Sequence, residues 1–492
     1  MDSLSNALTT LRDFVWGPYL LIPLLLGVGL VLSLRLRGIH LRSLCAALRL
    51  GLIDRKDESA EGDISQYQAL TTALAATVGT GNIVGVATAI AIGGPGALFW
   101  MWVTGVLGMA TKYAETFLAV RYRTTDAAGE KSGGPQYYLE RGLGKPIGRP
   151  LALSFAIFAT LACFGIGNMT QGNAIAVNVK ASWALPEWLT GAVLTVLTFI
   201  VLLGGIQSIG RVTARLVPSM ILLYLSAGMF VLFTHAGAIP EALVLVFTDA
   251  FTGSAATGGF AGASLMIAMR AGIARGLFSN ESGLGSAPMA AAAAQTVHPV
   301  RQGLVAMTQT FIDTLVMVTF TGLTLIVTGV WKARDPETGE RMSAALMTSE
   351  AYAQGLPGDW GHYIVTLSLV LFAFSTILGW GYYGERNIER LFGIRAIRPY
   401  RFVFTVGVFI GCIAELDLVW TFSDLANGLM ALPNLAGLLL LSGLVVRETR
   451  AYLHHDPKLI ATKSEIEIFM EGRPEWNEWK ASESAGAPKD PS

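Results

Sequence analysis

The chain alternates long apolar runs with short polar and basic stretches. Eleven runs can be marked, at residues 18–34, 66–92, 97–120, 150–173, 189–205, 216–235, 264–296, 302–330, 362–383, 401–416 and 421–446. Each approaches or exceeds the ~20 residues an α-helix needs to cross a bilayer, and we number them spans one to eleven. Span one is not a secretory signal. No basic segment leads into it, and Arg35, Arg37 and Arg42 follow it instead. Alternate loops differ in charge: nineteen Lys and Arg fall in one set, among them Arg37, Arg55, Arg121, Arg123, Arg211, Arg301, Arg386 and Arg401. The other set holds five: Arg12, Lys180, Lys332, Arg334 and Arg341. This bias predicts a cytoplasmic C-terminus and an outside N-terminus.

Two spans read as broken helices. Span two carries Gly79-Thr80-Gly81-Asn82 near mid-membrane, and span seven carries Ser279-Asn280-Glu281-Ser282-Gly283-Leu284-Gly285-Ser286-Ala287-Pro288. Small residues also promote helix packing, which for span two alone is an equal explanation. Packing does not account for Asn82, Asn280 and Glu281, because polar groups at that depth need partners. Irregular backbone there is tolerated only where it is buried in protein or lines a cavity. A break exposes amides that suit a carboxylate and carbonyls that suit a hard cation or an ammonium. That is the chemistry of an ion-coupled amino-acid carrier.

Span two is followed by four spans before span seven, which four more follow. Two sets of five, each opening on a broken helix, match an inverted-topology repeat. The expected organisation is an extra span and basic loop over 1–65, a first repeat over 66–235, a second over 236–446 and a cytoplasmic tail over 447–492. Within the tail only the stretch near Ser464–Met470 is expected to be helical. The loop Trp331–Gly361 should form a short outer cap.

Composition agrees: 52% of residues are hydrophobic, 14% are charged and the mean hydropathy is +0.52. A soluble domain carries about a quarter charged residues. The fold class is therefore an all-α polytopic membrane protein. Zero net charge gives no basic field for nucleic acid. Cys45, Cys163 and Cys412 form no disulfide framework, and His454–His455 is a poor chelate. No nucleotide, haem or metalloenzyme motif appears, so neither an enzyme nor a prosthetic group is expected.

Leu74-Ala75-Ala76-Thr77-Val78-Gly79-Thr80-Gly81-Asn82-Ile83, Gly133-Gly134-Pro135-Gln136-Tyr137-Tyr138 and Gly276 through Pro288 resemble the bacterial and archaeal alanine or glycine:cation symporter family. Trp380-Gly381-Tyr382-Tyr383-Gly384-Glu385 and Asn427 through Asn434 fit the same family. The resemblance reaches to about Arg450. Gln136 and Gly381 depart from it, and Gly381 could reshape the pocket. The resemblance implies a leucine-transporter-like fold in the cytoplasmic membrane, with sodium driving uptake of a small neutral amino acid such as alanine or glycine. It places Thr80, Gly81 and Asn82 at the substrate carboxylate, with Phe278, Ser279 and Asn280 facing the same cavity. Phe164, Asn168 and Gln171, spaced four and three apart on one helical face, would close the pocket. Ser375 and Thr376, completed by the carbonyls of Ala75 and Val78, would hold sodium. The competing expectation for these hydroxyls is a bond to their own i−4 carbonyl.

Charged residues within the spans carry further expectations. Asp313 either pairs with Arg270 or Arg275 or belongs to a cation route. Glu281 would stabilise freed backbone amides, and Lys112 and Glu115 would be a solvated pair at the end of span three. Two other functions stay open: a proton-coupled carrier titrating Asp313 or Glu281, and, more distantly, an ion channel. Channels build filters from rings of repeated elements, and two unlike breaks do not supply one.

Overall fold

The computed structural model describes residues 2–17, 19–55, 60–252, 261–334, 342–358, 360–414 and 417–471. Every predicted span falls on helix. Span one is Leu21–Arg35, span two Gln66–Thr77 plus Val86–Gly93, and span three Gly96–Arg121. Span four runs from Lys145 to Trp183, span five is Glu187–Leu203 and span six Gly205–Thr234. Span seven is Ala261–Asn280 plus Pro288–Ala292, and span eight runs from Pro299 to Val327. Spans nine, ten and eleven are Trp360–Phe392, Ile397–Ile413 and Asp417–His455. Judged by length and composition, six of the described helices could cross a membrane, or seven with the bent pair of span two. Spans one and five are shorter apolar helices.

Spans two, three, seven and eight pack together, and span four packs with nine, ten and eleven. The two breaks lie between these groups. Several elements went unpredicted. The helix Asp2–Val15 repeats apolar residues at Leu4, Leu8, Leu11 and Val15, the spacing of an amphipathic helix, and packs on span eleven. A helix Ile239–Thr252 precedes span seven, and Ala344–Gly355 lies in the expected outer cap. Among the described residues, a two-stranded hairpin, Thr124–Thr125 with Lys131–Ser132, departs from the helical architecture.

The basic end is more ordered than a set of loops. The segment before span two crosses the end of span seven, where Ile64 and Ala294 form a parallel bridge. Arg123 clamps the crossing, donating to the carbonyls of Glu61, Ala292 and Ala294. Arg386, 1% exposed, pairs with Asp126, Glu130 and Glu389. The tail is not free either. Span eleven continues as helix to His455, Glu448 pairs with Arg121 at 3.0 Å and Asp456 with Arg301 at 2.8 Å. These pairs join residues far apart in the chain, so each charge looks solvated until the fold brings its partner. The final helix, Lys463–Met470, agrees with the expected helical stretch.

Candidate functional site

Span two starts in a capping box, with Ser65 and Gln68 each bonding the other's backbone. Its helix ends at Thr77, the two halves meet at 53°, and Gly81–Gly85 forms a π-helical turn before Val86–Gly93. Asn82 staples the break: its Oδ1 accepts from Gly79 N at 3.0 Å, and its Nδ2 donates to Asp313 at 2.8 Å. Both ends of the Asn82 amide are therefore used inside the protein.

The predicted ion ligands from two distant spans meet here. Ser375 Oγ and Thr376 Oγ1 each lie 3.1 Å from the carbonyl oxygen of Ala75. Both also reach the carbonyl of Phe372, at 2.8 and 3.0 Å. The expected bond to the i−4 carbonyl is thus present for Thr376, while Ser375 bonds the i−3 carbonyl, both beside the contact to span two. Each hydroxyl has one proton and two acceptors, so its remaining lone pairs stay available to a cation. A Cβ on Gly79 would lie 2.5 Å from Thr376 Oγ1 and 3.6 Å from Gln171 Oε1, so the close approach here requires glycine. Val78, next in sequence to Gly79, is fully buried.

The second break is held by a different set. Glu281, Gly283 and Gly285 have φ of 54°, 90° and 82°, a left-handed backbone that glycine adopts freely and Glu281 does not. Asn280 bonds Ser282 N, Thr314 Oγ1 and, through its carbonyl, Gln309. Lys112 and Glu115 are not a solvated pair. Both are fully buried 4.0 Å apart, because they brace this break. Lys112 donates to the carbonyl of Glu281 at 3.0 Å, a cation at a helix C-terminus. Glu115 accepts from Gly285 N and Asn434 Nδ2. Glu281 does not bond freed amides either. Its oxygens accept from Trp380 Nε1 at 2.8 Å and Ser286 Oγ at 2.6 Å.

Asp313 lies on a π-helical turn, Phe311–Val318, a distortion frequent at functional sites. It pairs with neither Arg270 nor Arg275. Its carboxylate accepts from Asn82, Ser279 and Thr314, all neutral. Arg270 instead reaches Asp13 at 3.5 Å, and Arg275 lies over the Phe278 ring.

Between the breaks is a cavity of about 10 Å³, roughly the space for one water. Thr80, Gly81, Gln171 and Phe278 line it, together with Ile166, Glu281, Leu284, Trp380 and Asn427. Ser279 and Asn280 point away into the Asp313 and Thr314 contacts. Phe164 and Asn168 do not face the cavity. A π-helical turn over Gly165–Met169 adds to the helical register between them and Gln171. Phe164 packs on Tyr400 and Phe404, and Asn168 donates to the carbonyl of Phe404. Gly381 is also remote, facing Leu202 and Phe404. Trp380, Leu284 and Asn427 were missed. An asparagine inside an apolar span was a usable signal for the last. Phe278 also borders two larger cavities, of about 360 and 230 Å³.

The model of the sodium:alanine symporter family matches residues 1–465. The chain belongs to this family. Among relatives, the sodium/alanine symporter AgcS of Methanococcus maripaludis is 51% identical over 92% of this chain and 98% of its own length. The probable sodium/glutamine symporter GlnT of Bacillus subtilis is 35% identical over 90% of this chain and 89% of its own. Among solved structures, MhsT in complex with L-phenylalanine superposes with a TM-score of 0.52 at 14% identity, covering 86% of this chain and 96% of that one. A manganese-transporter variant from Eremococcus coleocola gives 0.51 at 14% identity, over 89% and 95%. These likenesses establish the leucine-transporter-like fold. As a member of the sodium:alanine symporter family, the chain is a multi-pass membrane transporter and not an enzyme.

Proposed function

We propose that this symporter couples inward sodium movement to uptake of a small neutral amino acid, alanine or glycine, across a bacterial or archaeal cytoplasmic membrane, with its C-terminus inside. The observation that carries the reading is the meeting of Ala75 with Ser375 and Thr376 beside the cavity lined by Thr80 and Gly81. Sodium takes the Ala75 carbonyl and the two hydroxyls, with the Val78 carbonyl completing the set. Hard cations favour such oxygen ligands. The substrate carboxylate meets the amides of Thr80 and Gly81, and Gln171 Oε1, buried and without a partner among the described residues, accepts from the ammonium. Phe278 stands between this cavity and the larger ones, as a lid. Asn82, Ser279 and Asn280 act indirectly, by holding the breaks and Asp313. Relatives named for alanine and for glutamine support an amino-acid substrate in general.

The test is Ser375→Ala combined with Thr376→Ala in proteoliposomes. Sodium-driven alanine uptake should fall at least about tenfold, as expected when hydrogen-bonding or ligating groups worth over ~1.4 kcal/mol are lost, while the folded yield is unchanged. Wild-type uptake with wild-type sodium dependence would remove these hydroxyls from the ion site.

A second reading rests on Asp313, a fully buried carboxylate whose donors are all neutral. Such a group can carry a proton as cargo. On this reading a pH gradient without sodium drives uptake, and Asp313→Asn abolishes it. On the sodium reading the pH gradient alone drives none.

A further inference from the structure

Span eleven carries two asparagines seven residues apart, Asn427 and Asn434, which the helical period places on one face. Both are fully buried, yet their surroundings differ. Asn434 is saturated: Nδ2 donates to Glu115 and to the carbonyl of Gly283, and Oδ1 accepts from Tyr138. Among the described residues Asn427 has no partner for either Oδ1 or Nδ2, and it lines the cavity between the two breaks. Leaving both ends of a buried amide unmade is costly, more so at membrane depth.

The helix around Asn427 is fixed from two sides. One residue on, a Cβ at Gly428 would lie 2.7 Å from Val15 and 2.9 Å from Trp16, so the N-terminal helix seats directly against it. One turn earlier, Ser423 abuts Gly165 of span four so closely that no Cβ fits there. The side chain is therefore held at the cavity by the packing of its own helix.

We propose that Asn427 is a direct contact for the α-amino-acid head group, its Oδ1 accepting from the ammonium while its Nδ2 donates to the carboxylate. This rests on the symporter reading and extends it to a residue outside both breaks. A zwitterion presents a donor and an acceptor on one carbon, and a carboxamide presents an acceptor and a donor on one carbon. Two other lining groups have open atoms, Thr80 Oγ1 and Gln171 Oε1; Asn427 offers both polarities from one rigid plane. Glu281 is not a rival for the ammonium, since Trp380 and Ser286 already occupy its oxygens.

The test compares wild type with Asn427→Leu, Asn427→Ala and Asn427→Asp. Two quantities are measured: sodium-driven alanine uptake in proteoliposomes, and thermal unfolding without substrate. The KM for alanine should rise at least about tenfold in all three, as for loss of a bond to a charged group. The Leu variant should melt at or above the wild-type temperature, because no protein bond is lost and an unmet amide is removed. Stabilisation of the protein by added alanine should disappear with it. A wild-type KM in any folded variant overturns the proposal. So does a fall in melting temperature with an unchanged KM, which assigns Asn427 to the scaffold. Should the Leu and Ala variants not fold, the near-isosteric Asp variant decides through its KM. A wild-type protein that takes up no amino acid with sodium would instead defeat the symporter reading itself.

Discussion

At the residue scale the decisive features are polar side chains at membrane depth and how each is satisfied. Lys112 and Glu115 read as a solvated pair because an ionic i,i+3 pair near a helix end usually is one. They are fully buried, and their partners are the backbone of the second break and Asn434. Nothing local in the sequence discloses this, because Glu281 and Asn434 are 169 and 319 positions away from them. Removing one member of such a pair leaves an uncompensated buried charge, at about 3–5 kcal/mol. Lys112→Met should therefore lower the thermal stability of the purified transporter severely. Combining it with Glu115→Gln, which keeps an acceptor for Gly285 N, should restore part of the loss. Wild-type melting by the single variant would show that Lys112 does not brace the break.

At the element scale the breaks were legible and their register was not. Gly79-Thr80-Gly81-Asn82 and the Ser279–Pro288 segment announce non-helical backbone through residue type alone, and both breaks occur there. The face presented by span four depended on a regular 3.6-residue period. The π-helical turn at Gly165–Met169 shifts that period, so Gln171 reaches the cavity while Phe164 and Asn168 turn to span ten. The candidate ion ligands were named by motif and not by geometry, since only the fold brings span nine's hydroxyls against Ala75. Gly79 is the element-scale hinge of that contact. Gly79→Ala should push Thr376 away and raise the sodium concentration for half-maximal uptake at least about tenfold, a shift of ~1.4 kcal/mol. Sodium titration of uptake measures this, and an unchanged midpoint would separate Gly79 from the ion site.

On the scale of the whole molecule, the two ends differ. Toward the Arg12 and Arg275 side, cavities of about 360 and 230 Å³ reach Phe278. At the basic end, the Ile64–Ala294 bridge, the Arg123 clamp and the Arg386 cluster tie distant segments together. Loop charge predicts that this end is cytoplasmic but disclosed none of these contacts, because its arginines are buried in long-range pairs. On the proposed function, with the cavity between the breaks this small, the two ends open in turn around it. The most direct measurement is radiolabelled alanine uptake into proteoliposomes at fixed pH, under an inward sodium gradient and under an equal potassium gradient. Sodium coupling predicts concentrative uptake with sodium and none with potassium. Equal uptake under both gradients would contradict sodium coupling and move the coupling role from Ser375 and Thr376 to Asp313.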